Sequence, residues 1–436
     1  MKTVQIPRRF VRHAWGGTET VVLETAKRLI ARGHRTEVFC ANALADTDDE
    51  AIDGVPVRRF PYFYPYWGLD AGARDALDRK GGNLFSFSLL RALARTEGLD
   101  LIHLHTGKRL GGIGRTVARL RGIPYVVSLH GGVHDVPAAE AATWTAPTAG
   151  AVEWGRVLGS LVGSRKVLDD ASAIICLSEA ERRTIQQRHP HARVELIPNG
   201  VDVARFSTGN GPAFRRRHGV PERARLLLLV GRVDPQKNQA LALTLVGSLT
   251  RRHPNVHLVL AGPTTSPAYA ASLENAIRAR GLQSRVTWLS SLGHASQDLV
   301  DAYHAADVCL LPSRHEPFGI VALEAWAAGK AVVASRVGGI PGFVESGVNG
   351  VLVEPDDEGG WLEQVDAILA SPARAAALGA SGLRRVRAEF DWDRVTDRVV
   401  HLYEDVIEAH ARRGTTARAW PAAARAASPG LQEPRS

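Results

Sequence analysis

Two doubly wound α/β domains are what this sequence predicts, and three observations predict them. The chain has 436 residues, more than one compact domain usually holds. Short, continuously apolar runs alternate with amphipathic helical patterns, which indicates parallel strands covered on both faces. The alternation stops over residues 202–224, where glycine, proline and arginine gather as in a linker, and then starts again.

The elements follow in order. Residues 3–6 read as a strand and 20–31 as a helix whose Val22, Ala26, Leu29 and Ile30 share one face, with Gly33 at its C-terminal end. Further strand-like runs fall at 36–40, 55–60, 101–104, 125–129, 173–177 and 194–197. After the pause they recur at 225–230, 256–261, 285–289, 308–311, 331–334 and 351–353. A last helical stretch, 391–411, lies beyond the second sheet. The expected domains are therefore 1–202, to which the 391–411 helix returns, and 203–390, followed by a disordered basic tail, 412–436. Ligands of such sheets bind at the carboxyl ends of the strands, so two facing domains would share a deep cleft.

Composition removes several classes of function. With 45% hydrophobic and 23% charged residues the chain is globular and not disordered as a whole. Cys40, Cys176 and Cys309 lie far apart inside apolar runs, so neither a zinc ribbon nor a disulfide framework is expected. No apolar signal core follows the N-terminus and no run is long enough to span a bilayer, which predicts a cytoplasmic protein. Of the net charge of +9, a charge of +4 sits in the last 27 residues, where five arginines face Glu433 alone. What remains is too diffuse for a nucleic-acid stripe. The basic tail, with Arg8, Arg9 and Arg12, leaves peripheral contact with anionic lipid as the expectation to test.

Three glycine-bearing turns sit where a strand would hand over to a helix. The strongest is His315-Glu316-Pro317-Phe318-Gly319-Ile320, followed by Glu324 about two helical turns later. A helix opening at Phe318 and Gly319 presents free backbone N–H groups to an anion such as a diphosphate. Val230-Gly231-Arg232 with Lys237 places two cations in one turn, both able to reach that diphosphate. Trp15-Gly16-Gly17 is a third such turn. Neither the dinucleotide fingerprint nor a P-loop occurs.

With Leu129-His130-Gly131 and Ile197-Pro198-Asn199-Gly200 these motifs form an ordered set, and the chain resembles the family 4 glycosyltransferases of the GT-B fold over residues 3–405. The resemblance implies a retaining transfer of sugar from a nucleotide-sugar donor to a glycan or lipid-linked acceptor. It needs no metal, the donor is a substrate and no cofactor is implied. It assigns Glu316 to the donor sugar near the reacting carbon and Glu324 to the ribose. The amides of Phe318, Gly319 and Ile320 would meet the sugar 4-hydroxyl and the phosphates. Arg232 and Lys237 would neutralise the leaving diphosphate, Gly17 would offer its amide from the other domain, and His130 would bond the sugar 6-hydroxyl. The loop 290–294, with Leu292, would meet the base, and His105 would line the acceptor side. A front-face displacement is implied, because no nucleophilic carboxylate is evident. Rival readings are a nucleotide-sugar epimerase of the same fold and a catalytically silent sugar-nucleotide or glycan-binding protein.

Other features read more plainly. Asp391-Trp392-Asp393 has the letters of a metal-binding DxD but stands where an N-cap belongs. His103 and His105 alternate along a strand and so share one side of the sheet. The aromatic loop 61–67 suits either packing or contact with a sugar or a membrane interface.

Overall fold

The computed structural model describes residues 1–131, 145–290, 292–293 and 295–426, with side chains up to Arg412. It contains two large sheets, as the alternation predicts. The first is built from β1 (Lys2–Ile6), β2 (Arg35–Ala41), β3 (Asp49–Ile52), β4 (Val55–Phe60), β6 (Leu101–Leu104), β7 (Tyr125–Ser128), β9 (Ala173–Cys176) and β10 (Val194–Leu196). Their order is β10-β9-β7-β6-β1-β2-β4-β3, all parallel except the edge strand β3. A small ribbon pairs β5 (Tyr66–Trp67) with β8 (Val152–Glu153).

The second sheet is wholly parallel. It comprises β11 (Arg225–Val230), β12 (Val256–Ala261), β13 (Val286–Leu289), β14 (Val308–Leu311), β15 (Ala331–Ser335) and β16 (Val351–Val353), in the order β13-β12-β11-β14-β15-β16. Alternation along β11 shows why such strands are apolar throughout. Leu226 and Leu228 enter one core while Leu227 and Leu229 enter the core on the opposite face. In each sheet the chain reverses its direction of winding at one place, between β1 and β6 and between β11 and β14. The three glycine-bearing turns emerge at those places, at the carboxyl ends of the strands.

Residues 202–224 are more ordered than a linker. Asp202 caps a helix at Val203–Phe206 and Asn210 caps another at Gly211–Arg217. The Asn210 amide donates to Asp301 at 2.7 Å, and Arg217 pairs with Asp298 and Asp301, which fastens this segment to the helix Gln297–Ala305. The turn residues there are helix caps and close-packing glycines rather than spacers.

The last helix, Trp392–Ala426, packs on the first sheet. Trp392, Val395, Val399, Leu402, Tyr403 and Val406 cover Leu101, Val126, Ala173 and Ile175. Arg32 holds the helix from outside through Asp393 and Asp397, at 3.3 and 2.7 Å. Asp391 accepts from the amide of Asp393, the capping role expected of it. The helix runs on to Ala426, through the first part of the stretch expected as a basic tail, where alanine and arginine, both helix formers, dominate. Residues 427–436 lie outside the described residues.

The two crossings between the sheets run side by side. Val201 donates to the carbonyl of Phe390 at 2.8 Å, and Trp392 donates back to Val201 at 3.2 Å. Gly200 lies directly under Trp392, where an added Cβ would stand 2.7 Å from the indole. The aromatic loop is mostly packed: Tyr62 and Tyr64 share Asp78, and Phe63 stacks on Phe87 and Trp154. All three cysteines are free and buried, and burial pushes each thiol up to about 12. Among the described residues no helix is long and apolar enough to cross a membrane.

Trp392 is 2% exposed at the junction of both crossings. Trp392→Ala is expected to cost about 3–5 kcal/mol, the range for truncating a buried aromatic residue, in the chemical denaturation of the full chain.

Candidate active site

The site is assembled from two turns of the second domain. The turn after β14 carries Ser313 and Glu316, and the turn after β11 carries Arg232, Gln236 and Lys237. They are tied together by backbone bonds. Arg314 donates its amide to the Gln236 carbonyl at 2.8 Å, and the Gln236 side chain donates to the His315 carbonyl at 2.8 Å. Between them Lys237 Nζ meets Glu316 Oε2 at 2.5 Å, and Ser313 donates to the same oxygen at 3.1 Å. Both members of this ion pair are mostly shielded, with 16% and 11% of their side chains exposed.

Arg232 stands at the rim. It reaches Gln236 Oε1 at 3.3 Å and lies 3.4 Å from Asp234, with about a third of its side chain in solvent. The two basic residues thus share one turn as predicted, while Lys237 has a carboxylate partner that the sequence did not announce. Gln236 and Ser313 carry no signal of their own in the sequence, although each lies inside or beside a glycine-bearing motif.

The helix Ile320–Ala327 begins at Gly319, whose φ of +104° only glycine adopts without strain. Its opening leaves the first amides without acceptors in the helix and turns the positive end of the dipole toward the crevice. The Phe318 side chain plays no part in this: it is core, packed on Phe343 at 5.0 Å, so only its backbone can face a ligand. Further along, Glu324 accepts from the Tyr303 hydroxyl at 2.6 Å. Burial pushes its carboxyl above the usual range, while Tyr303 and Arg205 pull it back. Tyr303 comes from the neighbouring helix, and no motif marks it. Leu292 packs against the second-domain core, while its neighbours Ser291 and His294 lie outside the described residues.

The first domain closes the site from above. Gly17 opens the helix Gly17–Ala31 against Ile320, whose methyl lies 3.8 Å from the position of an added Cβ. Gly131 faces Pro317 so closely that a Cβ would stand 2.1 Å from that ring. His130 is therefore at the cleft wall opposite the Glu316 turn. Burial lowers its imidazole to about 4, so it is uncharged at neutral pH. His105 does not line an open surface: it lies one layer behind, with Nδ1 2.9 Å from His130 Nε2. Among the described residues no three His, Cys, Asp or Glu side chains gather as metal ligands would.

Chemically the arrangement offers a helix start and two cations for an anion, two carboxylates for hydroxyls, and a neutral imidazole across the cleft. Closure needs a glycine at 131. Gly131→Ala adds a Cβ at a φ of +79° and against Pro317, so it is expected to prop the domains apart. Turnover would fall about 100-fold, the order expected when reacting groups are misplaced by an ångström. Small-angle scattering should show a larger radius of gyration.

Known proteins agree with this architecture. A family model described as "Glycosyl transferases group 1" matches residues 211–385, and one described as "Glycosyl transferase 4-like domain" matches residues 16–200. A D-inositol 3-phosphate glycosyltransferase of Kineococcus radiotolerans is 33% identical over 91% of this chain and 92% of its own length. The corresponding enzyme of Mycobacterium avium is 31% identical over 92% of each. Among solved structures, a sucrose-phosphate synthase from Thermosynechococcus elongatus superimposes with a TM-score of 0.70 at 24% identity, over 94% of this chain and 99% of that one. The Anabaena HepE protein in complex with UDP-glucose gives 0.68 at 21% identity, over 93% and 100%. Motifs, sheet order and relatives converge: the chain belongs to the glycosyl transferases group 1 family and has the GT-B fold.

Proposed function

We propose that the chain transfers a hexosyl group from a nucleoside-diphosphate sugar to a hydroxyl acceptor, retaining the anomeric configuration and using no metal ion. The observation that carries this reading is the Lys237–Glu316 pair, held between two turns at the switch point of the second sheet, with Pro317 next to it facing Gly131 across the cleft. An incoming diphosphate would compete for Lys237 and recruit Arg232, releasing Glu316 to hydrogen-bond the sugar. Glu324 and Tyr303 would hold the ribose, the amides of Phe318, Gly319 and Ile320 the sugar and phosphates, and Gly17 the diphosphate from above. Leu292 lies in the segment that would meet the base, and His130 would accept from the sugar 6-hydroxyl.

In the reaction the bond between the anomeric carbon and the phosphate oxygen breaks, and a bond to the acceptor oxygen forms on the same face. The acceptor's proton passes to the departing phosphate oxygen, which leaves as the nucleoside diphosphate. Lys237 and Arg232 stabilise the charge that develops there. Domain closure excludes water, the competing acceptor.

The acceptor we favour carries an anionic group, as the curated relatives' names indicate for theirs. Arg8, Arg9 and Lys108 gather at the carboxyl edge of the first sheet, where an acceptor would enter. Lys108 Nζ donates to the Gly81 carbonyl at 2.8 Å, and desolvation, then Arg8 and Arg109, lower its ammonium below the usual range. A site at the inner face of the cytoplasmic membrane, with a lipid-linked acceptor, is the alternative placement. Salt-sensitive binding to anionic vesicles would support it.

The test is to incubate the protein with UDP-, GDP-, ADP- or TDP-sugars and candidate polyol phosphates. Nucleotide release that depends on acceptor, with a product whose anomeric configuration by NMR equals the donor's, is expected. Release without acceptor, or an inverted product, would overturn the proposal. Lys237→Ala should lower kcat by about 100-fold to 1,000-fold, the usual loss for one electrostatic contact to a leaving group.

A further inference from the structure

Beneath His130 the first domain buries a continuous line of polar side chains. His130 Nε2 lies 2.9 Å from His105 Nδ1, and His105 Nε2 lies 2.8 Å from Gln5 Oε1. Gln5 Nε2 donates to the Tyr403 hydroxyl at 3.3 Å. That hydroxyl lies 2.5 Å from His103 Nδ1, and His103 Nε2 lies 2.7 Å from Ser128 Oγ. Gln5 and Tyr403 have no exposed surface, and His103 and His105 have 2% and 6%. Groups buried to this degree must be satisfied by one another.

With the Gln5 amide oriented with its oxygen toward His105 and its nitrogen toward Tyr403, one arrangement of protons satisfies the whole line. Burial holds all three imidazoles well below their usual pKa, so each carries a single N–H. The Gln5 carbonyl oxygen can only accept, so His105 must be protonated on Nε2. Its Nδ1 is then an acceptor, and His130 must donate to it from Nε2. The planes of the His105 and His130 rings are inclined by 23°, with centroids 5.1 Å apart. At the other end, Tyr403 accepts from Gln5 and donates to His103 Nδ1, whose Nε2–H goes to Ser128. Every donor points the same way. The opposite polarity is also self-consistent, but reaching it requires the Gln5 amide to turn over and each proton to move together.

We infer that Tyr403 is a positioning residue. Through Gln5 and His105, this side chain of the returning C-terminal helix fixes His130 as the tautomer with bare Nδ1, an acceptor for a substrate hydroxyl. The role of His130 toward substrate rests on the functional reading above; the tautomer does not. Without the Tyr403 hydroxyl, Gln5 loses the acceptor that orients its amide. Its NH2 group can then turn to His105 Nε2, which moves the His105 proton to Nδ1 and leaves His130 presenting an N–H donor to the cleft. The helix that secures the two domains together would thereby also decide the polarity of a site residue.

The test uses the full chain labelled with nitrogen-15 in its imidazoles, read by long-range proton–nitrogen correlation and assigned by comparison with His130→Ala. Wild type is expected to show His130 protonated on Nε2 alone. Tyr403→Phe is expected to populate the Nδ1–H form and to lower kcat/KM by about 10-fold to 100-fold, the loss typical of removing an outer partner of a site histidine. In the His130→Ala background the same substitution should cost nothing further. An unchanged His130 tautomer in Tyr403→Phe, or losses that multiply in the double variant, would overturn the relay and leave Tyr403 a packing residue. If Tyr403→Phe does not fold, Gln5→Met opens the next link at similar volume and must give the same two results. Because the tautomer is read without donor or acceptor, a shifted tautomer in a protein that transfers no sugar would sink the functional reading and leave the relay standing.

Discussion

A parallel sheet must be covered on both faces, and in the first domain that requirement is met by a helix borrowed from the far end of the chain. Leu101, Val126, Ala173 and Ile175 would stand open without Trp392, Val399, Leu402 and Tyr403. Everything else in the molecule adapts to this one packing. The chain must cross between the domains twice, Gly200 must lack a side chain so that Trp392 can lie over it, and the two crossings share hydrogen bonds. The cleft is consequently bounded on one side by a hinge of defined construction, and its walls meet at Gly17 with Ile320 and at Gly131 with Pro317.

Within the cleft the charges are arranged in pairs that a ligand can exchange. Lys237 and Glu316 are shielded from solvent and satisfy each other, and Glu324 is satisfied by a neutral hydroxyl. A buried carboxylate without a partner would cost several kcal/mol, so such pairing is what permits two acidic groups to stand in this crevice. The diphosphate proposed above would replace one partner of Lys237 with another of the same sign. The site would then keep its electrostatic balance through binding, and preorganised charge of this kind is what stabilises a leaving group.

Most strands of the sheets were legible because the central ones are buried on both faces, which makes runs such as β11, β12 and β14 largely apolar. β4, β6, β11, β12, β14 and β16 begin and end where the letters say. The edge strand β3 was not legible: Asp49 and Glu50 face solvent, and a polar strand at a sheet edge has no pattern to display. Residues 202–224 looked like a linker since capping residues and close-packed glycines share the vocabulary of loops. In the site, groups inside a motif could be found, while partners from elsewhere in the chain could not. Tyr303 and Tyr403 are ordinary letters in amphipathic helices. Gln5 did carry a faint signal, a long polar side chain between Val4 and Ile6 in a strand buried from Thr3 onward. Such a residue has to be bonded to something, and here it joins the histidines to the returning helix.

The paired crossings also bear on how this architecture can be taken apart. A division of the gene at the first crossing would yield an N-terminal half missing its covering helix and a C-terminal half trailing an apolar one, with Trp392, Val399 and Leu402 exposed. A chimaera that exchanges the second domain for another must therefore be spliced at two points, after Val201 and before Asp391, so that the helix travels with the sheet it covers. In the linear map the first domain is interrupted by the second. The second domain is accordingly an insertion, and recombination is expected to conserve folding only when it respects both ends of it.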